Sequence, residues 1–343
     1  MKARYRTLLS VFVALAGGTP GGGYARTVVD MAGHSVSVPD RPGRIADLWF
    51  AHNTLTIMLG ATDRIAVTDN LPSARPWMYR VAPALSRAVA VTGPVPNTET
   101  LLGAGVDVAF ISAGSPAELP LRRSGFPVVD AGFTDAPSMI RALDLTADVL
   151  GDARAHDMAR QYEAALTETI HRVRAATTDV AIARRPRVLH IKSLVPLMVD
   201  GADTIIDDWI TTAGGRNAAD GIVGVMRPVS LEQVAAWDPD VLILGPDSGK
   251  FDGAARGGGW SALRAVRTGR VYRSPAGVFP WDRYGCEFLL QILWTAQSLY
   301  PDRFRDIDMM SETTRFYHRF FGYDLTPAEA RRILAAQPPE EGR

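Results

Sequence analysis

Residues 97–111 read NTETLLGAGVDVAFI, and residues 230–244 repeat the same pattern as SLEQVAAWDPDVLIL. The ungapped alignment pairs two acidic residues of each segment, Glu99 with Glu232 and Asp107 with Asp240. In each segment a short helical pattern containing the glutamate precedes an apolar run that is typical of a buried strand. The sequence therefore predicts one helix–strand unit that occurs twice.

Further elements repeat in the same order outside this unit. Strand patterns at 44–49 and 187–192 precede helical patterns at 54–60 and 204–215, and strand patterns at 127–131 and 270–274 come last. Three matching elements in one order predict an internal duplication. The fold class is therefore α/β, with two duplicated lobes of parallel sheet flanked by helices. A chain of 343 residues is long enough for two such lobes, each with its own core.

The most strongly helical segment lies between the two halves. One helix is predicted over 136–150 and a second over 152–177, with Asp152 as the N-cap of the second. At about 1.5 Å per residue the second helix would be close to ~40 Å long, enough to cross from one lobe to the other. The predicted division is a first lobe at 26–151, a linker helix at 152–178 and a second lobe at 185–343. A single rigid crossing predicts small lobe movements.

The N-terminal residues predict export. A basic stretch at 2–6, an apolar stretch at 8–16 and small residues before Arg26 are typical of a cleaved signal peptide at residues 1–25. The apolar stretch is much shorter than the roughly 20 residues that span a bilayer. Cys286 is the only cysteine, so we expect neither an internal disulfide nor a lipidated cysteine at the cleavage point. We predict an unlipidated protein of the bacterial periplasm.

Charge and motifs argue against two other classes of protein. The 37 acidic and 37 basic side chains are dispersed, which removes the electrostatic case for a nucleic-acid partner. Residues 245–250 follow a strand, but their spacing is one short of a phosphate-binding loop and Phe251 replaces the required Ser or Thr. The sequence contains no dinucleotide fingerprint or nucleophile elbow. A two-domain α/β enzyme remains an alternative only because it would share the fold class.

These features together resemble the substrate-binding proteins of bacterial ABC importers for metal chelates. The resemblance extends from Val36 to about Leu334 and rests on the order of the motifs: the strand at 44–49, the LGATDRI turn at 59–65, the two glutamate helix starts and the single linking helix. It implies a ligand cleft between the lobes and a monomeric binding protein that is not an enzyme. It also implies no cofactor besides the transported ligand, and an ABC permease as partner.

The resemblance assigns a role to the repeated glutamates. In that family one exposed glutamate on each lobe docks onto arginines of the permease, and the matching positions are Glu99 and Glu232. Acids in the first turn of a helix are stabilised by its dipole, and two equivalent ones would form a two-point contact. In the alternative interpretation Asn97 or Ser230 caps the helix and the glutamate only stabilises the first turn. The sequence leaves both open.

Open parallel sheets bind ligands at the carboxyl ends of their strands. Within the loops that this rule selects, which also contain Arg75, Ser112 and Phe279, we single out eleven candidate ligand-binding residues: Trp49, Phe50, His52, Trp77 and Tyr79 in the first lobe, and Lys192, Met226, Arg227, Trp281, Arg283 and Tyr284 in the second. Aromatic rings interleaved with arginines suit a flat or aromatic anionic ligand. Alternatively, Trp49 and Phe50 would close the first strand, and Arg283 would be a surface residue at the start of a helix continuing to Tyr300.

The sequence leaves the ligand open. We expect an iron-siderophore or a similar metal chelate, with cobalamin, haem and nickel or molybdate species as alternatives on the same scaffold. Whether a side chain ligates the metal is unknown, because none of the six histidines forms a spaced ligand pair. Only His52, with Tyr79 or Tyr284, would reach a metal in the cleft. A chelator that fills the coordination sphere would leave little for the protein to add.

Overall fold

The computed structural model describes residues 25–252 and 259–340. The predicted signal peptide, apart from Ala25, lies outside the described residues. The first described elements are the antiparallel strands β1 (Ala25–Val29) and β2 (Ser35–Pro39). Within the described ranges, no helix combines the length and the apolar character needed to span a bilayer.

A five-stranded sheet forms the centre of the first lobe. Its strands are β3 (Ile45–Asp47), β4 (Ile65–Thr68), β5 (Val89–Ala90), β6 (Val108–Ile111) and β7 (Val128–Asp130). They lie in the order β5-β4-β3-β6-β7, and every neighbouring pair is parallel. All residues of β3, β4, β6 and β7 are buried, as expected for short apolar strands that are covered on both faces.

A second sheet forms the centre of the second lobe. Its strands are β8 (Arg187–Leu194), β9 (Leu197–Val199), β10 (Arg216–Asn217), β11 (Arg227–Pro228), β12 (Val241–Leu244) and β13 (Val271–Arg273). The order is β11-β9-β8-β12-β13, with β10 also paired to β8. The β8, β12 and β13 pairings are parallel, as predicted, and the short strand β10, which was not predicted, is also parallel to β8. The antiparallel strands β9 and β11 were not predicted; the chain reverses at Val195 and Pro196 and so places β9 on β8.

The aligned aspartates make the same contacts in the two sheets. The Asp107 carboxylate accepts hydrogen bonds from the backbone N–H groups of Gly43 and Arg44, at 2.8 and 2.9 Å, just before β3. The Asp240 carboxylate accepts one from the N–H of Arg187, at 2.8 Å, where β8 begins. Each carboxylate thus ties together the starts of two neighbouring parallel strands. This shared geometry supports the predicted duplication of one lobe.

The described helices flank the two sheets. In the first lobe they are α1 (His52–Met58), α2 (Pro76–Val81), α3 (Thr98–Gly103), α4 (Glu118–Arg123) and α5 (Ala136–Leu150). Next come α6 (Ala153–Thr177), α7 (Ile205–Thr212), α8 (Leu231–Trp237), α9 (Arg264–Arg267), α10 (Phe288–Leu299), α11 (Met309–Phe316) and α12 (Pro327–Leu334). Gly151, in the left-handed conformation at φ 68°, separates α5 from α6.

The long helix α6 connects the two lobes. Asp152 caps it by accepting a hydrogen bond from the N–H of Ala155 at 2.9 Å, as its sequence predicted. Its 25 residues extend about 38 Å. It packs against α5 of the first lobe and α10 of the second. The hydroxyl of its buried Tyr162 donates a hydrogen bond to the Cys286 carbonyl at 2.7 Å, which ties α6 to the loop before α10.

The helix predicted to begin at Arg283 begins instead at Phe288. The preceding residues, 276–287, form a loop that is organised around the fully buried side chain of Glu287. Its carboxylate accepts hydrogen bonds from four donors: the N–H groups of Val278 and Phe279, the Trp281 indole and the Tyr317 hydroxyl. Burial raises the pKa of Glu287 to about 7, although these hydrogen bonds act to lower it. We call this segment the 276–287 loop.

The two lobes also touch each other away from α6. The N–H of Cys286 donates to the Thr54 hydroxyl at 3.1 Å, and the N–H of Ala136 donates to the Asp208 carboxylate at 2.9 Å. The C-terminal residues return to α2, where the Trp77 indole donates to the Gln337 carbonyl at 2.8 Å. Several separate contacts therefore hold the lobes in one arrangement.

Candidate ligand-binding cleft

A cleft of about 760 Å³ is lined by residues of both lobes. In the first lobe its walls include the segments that follow three parallel strands: residues 49–51 after β3, 112–113 after β6 and 132–134 after β7. In the second lobe they include Lys192 near the end of β8, residues 225–226 before β11, and part of the 276–287 loop. The cleft therefore lies where ligands are expected to bind on open parallel sheets.

Three aromatic rings from both lobes meet in the cleft. The Trp49 ring centre lies 5.1 Å from that of Phe133 and 5.8 Å from that of Tyr284, and the Phe133 and Tyr284 centres are 5.7 Å apart. Two further apolar side chains, Phe50 and Met226, also line the cleft yet remain 51% and 48% exposed. Large apolar groups exposed within a cleft are typical of a ligand-binding surface.

Arg75 brings a positive charge with an unused hydrogen-bond donor into the cleft. Its guanidinium carbon lies 4.8 Å from the centre of the Phe279 ring, and its buried Nε has no hydrogen-bond partner among the described residues. Burial lowers the pKa of Arg75, while the charges of Asp247, Asp282 and Asp69 act to raise it. An anionic ligand would supply both the missing acceptor and a compensating charge.

Three other cations line the same cleft. Lys192 Nζ lies 3.3 Å from the Asp247 carboxylate, and Arg283 Nη1 donates to the Asp200 carboxylate at 3.0 Å. Arg141, on α5, is exposed and makes neither a hydrogen bond nor an ion pair through its side chain within the part of the chain that the structure describes. Lysine and arginine each carry several donors, so even the paired cations retain N–H groups for a ligand.

A buried network lies behind Arg283. The Asp200 carboxylate accepts hydrogen bonds from His190 Nδ1 at 2.7 Å and from the N–H of Met226 at 2.7 Å, besides the one from Arg283. His190 Nε2 lies 2.8 Å from the Asp282 carboxylate. Burial alone would lower the pKa of His190, but its contacts with the two aspartates outweigh burial and raise it. The network thus fixes two cleft-lining residues, Arg283 and Met226.

The structure brings six of the eleven predicted ligand-binding residues together in this cleft. They are Trp49, Phe50, Lys192, Met226, Arg283 and Tyr284. Burial raises the pKa of Tyr284, so its hydroxyl is a neutral donor at ordinary pH. Their shared location makes them the candidates for ligand contact.

The other five predicted residues do not line the cleft. Trp77 and Trp281 are buried, and their indole N–H groups are used by Gln337 and Glu287. Tyr79 donates its hydroxyl to the Asn70 carbonyl at 2.7 Å, and Arg227 is exposed on the edge strand β11. The strand-end rule selected several loops that line the cleft, but it gave no information on the direction of each side chain.

His52, the predicted metal-reaching histidine, is also turned away from the cleft. It is fully buried, with Nδ1 3.0 Å from the Asp47 carboxylate and Nε2 2.9 Å from the Thr146 hydroxyl. Both ring nitrogens are therefore occupied. Over the described residues, no group of three or more His, Cys, Asp or Glu side chains is placed to hold a metal ion.

Several cleft residues, and the Asp200 carboxylate behind them, were missing from the predicted set. Phe133 follows β7, so the strand-end rule applied to the predicted strand at 127–131 would have found it. Arg141 lies on a helix, which that rule passes over. Asp200 follows β9, a strand that the sequence pattern did not reveal. The supporting carboxylates were therefore not predictable from the loops alone.

The predicted docking residues, Glu99 and Glu232, are exposed in the first turns of α3 and α8. The α3 cap is Asn97, whose side chain accepts from the N–H of Glu99 at 2.8 Å. The α8 capping box consists of Ser230 and Gln233. A hydrogen bond to Ser230 lowers the pKa of Glu232. Neither glutamate side chain closes a capping box, although both lie where the helix dipole stabilises an acid.

Known proteins share this fold over most of the length of the chain. The chain is 24% identical to the molybdate-binding protein MolA of Haemophilus influenzae, over 90% of this chain and 94% of that protein. The structure of MolA bound to molybdate matches with a TM-score of 0.77 at 21% identity, covering 88% of this chain and 99% of that chain. A periplasmic solute binding protein from Veillonella parvula matches with a TM-score of 0.74 at 26% identity, covering 91% and 97%.

A nickel- and histidine-containing structure of CeuE from Helicobacter pylori also matches, with a TM-score of 0.74 at 16% identity, over 91% of this chain and 99% of that chain. MolA and the Veillonella parvula protein are periplasmic binding proteins rather than enzymes, and MolA serves an ABC transporter. The sequence pattern of the periplasmic binding protein family matches residues 52–277, well over half of the chain. This chain therefore belongs to the periplasmic binding protein family, as a solute-binding protein of an ABC transporter.

Proposed function

We propose that this protein captures an anionic metal chelate, such as a ferric siderophore, and delivers it to an ABC permease. The observation that carries the proposal is the combination of aromatic rings and four cations around one cleft of about 760 Å³. Pockets of this size hold organic ligands rather than single small ions. The rings would stack on the organic part of the chelate while Arg75 and its neighbours pair with its oxygen anions.

A molybdate-like oxyanion is the second candidate. It is favoured by the 24% identity to MolA along nearly the whole chain. The unpaired Nε of Arg75 and the unpaired Arg141 side chain would supply donors to such an anion, within the limits of the described residues. The aromatic lining has no evident use for a bare oxyanion, and for that reason we favour the chelate.

To identify the ligand, the protein is purified from periplasm under native conditions, and the mass of the protein with its ligand is measured by mass spectrometry. We expect an added mass that contains iron and an organic chelator. An added molybdate mass would favour the second candidate, and haem or cobalamin would be recognised by mass and absorbance. Titration of the tryptophan fluorescence with a ferric tris-catecholate and with molybdate checks the result, and no response to either anion would contradict anion binding in this cleft.

We also propose that delivery uses the two exposed glutamates as docking points on the permease. Glu99 and Glu232 occupy equivalent positions on the duplicated lobes and leave the capping hydrogen bonds to their neighbours.

The proposed route begins with export through a cleaved signal peptide at residues 1–25. The mature protein would be a monomer with lobes at 26–151 and 185–343, joined by the helix at 152–178. We propose that the mature protein is not lipidated, because Cys286 is the only cysteine in the sequence and is buried.

A further inference from the structure

His190 and its two aspartates form a chain of charges between the second sheet and the cleft. The ring lies in β8, fully buried, with Asp200 on one nitrogen and Asp282 on the other at 2.7 and 2.8 Å. The ring is perpendicular to that of Trp209 of α7, with ring centres 5.8 Å apart. The charged or titratable neighbours are thus Asp200 beyond β8 and Asp282 in the 276–287 loop, with Arg283 reached through Asp200.

A neutral imidazole does not fit this arrangement. It carries one N–H donor and one lone pair, so one of its two nitrogens would face a carboxylate with a lone pair. The imidazolium form carries two donors and satisfies both carboxylates. Since both distances are those of charge-assisted hydrogen bonds, the geometry itself indicates the protonated ring.

The proton on His190 also decides the charge presented to the cleft. Asp200 binds Arg283, and Asp282 is one of the carboxylates whose charge acts on Arg75. With an imidazolium, the two carboxylates face three cations: His190, Arg283 and Arg75. With a neutral ring they face two cations, so the summed charge of these five groups falls from +1 to zero; Asp247 and Asp69, whose charges also act on Arg75, lie outside this count. An anion in the cleft would then meet arginines whose charge is already balanced.

We propose that His190 is a positioning residue of the cleft: as an imidazolium it neutralises the carboxylates behind Arg283 and Arg75, so that anion binding depends on the His190 proton. This inference rests on the proposed function, because it needs an anion in the cleft. His190 does not contact the ligand and acts through Asp200 and Asp282. Anion affinity should be constant while His190 is protonated and should fall as the pH rises through its pKa in the folded protein.

The protonation state is tested first, without ligand. The full chain with ¹⁵N-labelled histidine is followed by NMR from about pH 6 to about pH 9, and the His190 signals are assigned as those missing in His190→Gln. We expect both ring nitrogens to be protonated at neutral pH. A single protonated nitrogen at neutral pH would overturn the proposal.

The coupling to the cleft is tested with molybdate and a ferric tris-catecholate, titrated by tryptophan fluorescence over the same range. We expect affinity to fall at high pH with the midpoint seen by NMR, and His190→Gln to bind roughly tenfold more weakly at neutral pH with a flattened profile. Asp282→Asn keeps the Asp200–Arg283 pair and offers a neutral ring an amide donor. In Asp282→Asn, the fall in anion affinity with rising pH should therefore occur at a lower pH than in wild type.

The control is His156→Gln, a partly exposed histidine on α6 outside the cleft, which should leave the profile unchanged. Thermal melts show whether each variant is folded. If the anions bind wild type but the Asp282→Asn profile coincides with the wild-type profile, the proposal is wrong and the proposed function stands. If neither anion binds wild type, the proposed function itself is wrong, and the NMR result still decides the state of His190.

Discussion

Gly277 lies at a point in the 276–287 loop where the backbone passes close to the buried Glu287 and Tyr317 side chains. A Cβ atom at this position would overlap the Tyr317 hydroxyl and the Glu287 carboxylate. Both groups are fully buried and bonded to each other, so neither has space to move aside. The absence of a side chain at one residue is thus a condition for the loop that carries Arg283 and Tyr284 into the cleft.

We predict that Gly277→Ala destabilises the protein by about 3 kcal/mol, at the upper end of the usual cost of overpacking a core. Urea denaturation measures the difference in the free energy of unfolding. Gly103→Ala is the matched control, because a Cβ there would meet nothing within 4 Å. Equal stability of Gly277→Ala and wild type would show that the Glu287–Tyr317 contact is not fixed as described.

At the scale of single residues, the sequence predicted types of side chain better than their directions. The strand-end rule found Trp49 and Tyr284, which meet in the cleft, but equally selected Trp281, which points to Glu287. The indole of Trp281 finds its partner only six residues away, yet nothing in the pattern marks Glu287 as buried. Direction depends on tertiary contacts that a single sequence does not display.

The limits of helices and strands were more predictable than the directions of single side chains. The helix limits near Gly151 and Asp152 agree closely with the structure because caps and left-handed glycines are local signals. The start of α10 was misplaced for the opposite reason: the residues before it are held by Tyr317, a distant residue, and not by a cap. Strands β9 and β11 are too short to show a clear period.

The helices α3 and α8 give a prediction about delivery. Glu99→Lys, Glu232→Lys and especially the double variant should reduce uptake of the ligand by cells that lack the wild-type protein, because like charges would then face each other at the permease. Affinity for the ligand and thermal stability should change little, since both side chains are exposed and away from the cleft.

Glu168→Lys reverses the charge of an exposed residue on α6 and is the control for the change in net charge. Uptake assays and thermal melts are run on the same variants. Normal uptake by the double variant would end the docking proposal. Reduced stability with normal uptake per folded molecule would instead indicate that the two acids serve only the first turns of their helices.

At the scale of the whole molecule, the duplication was the most informative part of the sequence. Two copies of one unit, joined by a long helical pattern, predicted the two lobes and the helix between them. The contacts that join the lobes elsewhere, such as Trp77 with Gln337, are far apart in sequence and left no pattern to read. The position of the cleft was therefore predictable, while its supporting network of Asp200, His190 and Asp282 was not.

The packing of helix α6 against both lobes predicts that the lobes move little relative to each other. Helix α6 packs on both lobes, and Thr54 with Cys286 and Ala136 with Asp208 add further connections. We expect the radius of gyration from small-angle X-ray scattering to be nearly the same with and without the bound ligand. A large contraction on binding would show that the lobes close about a hinge and that these contacts break.

The central claim is that cations in the cleft hold an anionic metal complex, and one titration tests it most directly. Arg75→Ala and Arg227→Ala each remove one arginine, but Arg75 lines the cleft and Arg227 lies on the exposed edge strand β11. With the ligand recovered from native protein, Arg75→Ala should bind roughly 10- to 100-fold more weakly than wild type. Arg227→Ala should bind like wild type. Equal affinity of all three proteins in tryptophan fluorescence titrations would contradict the account.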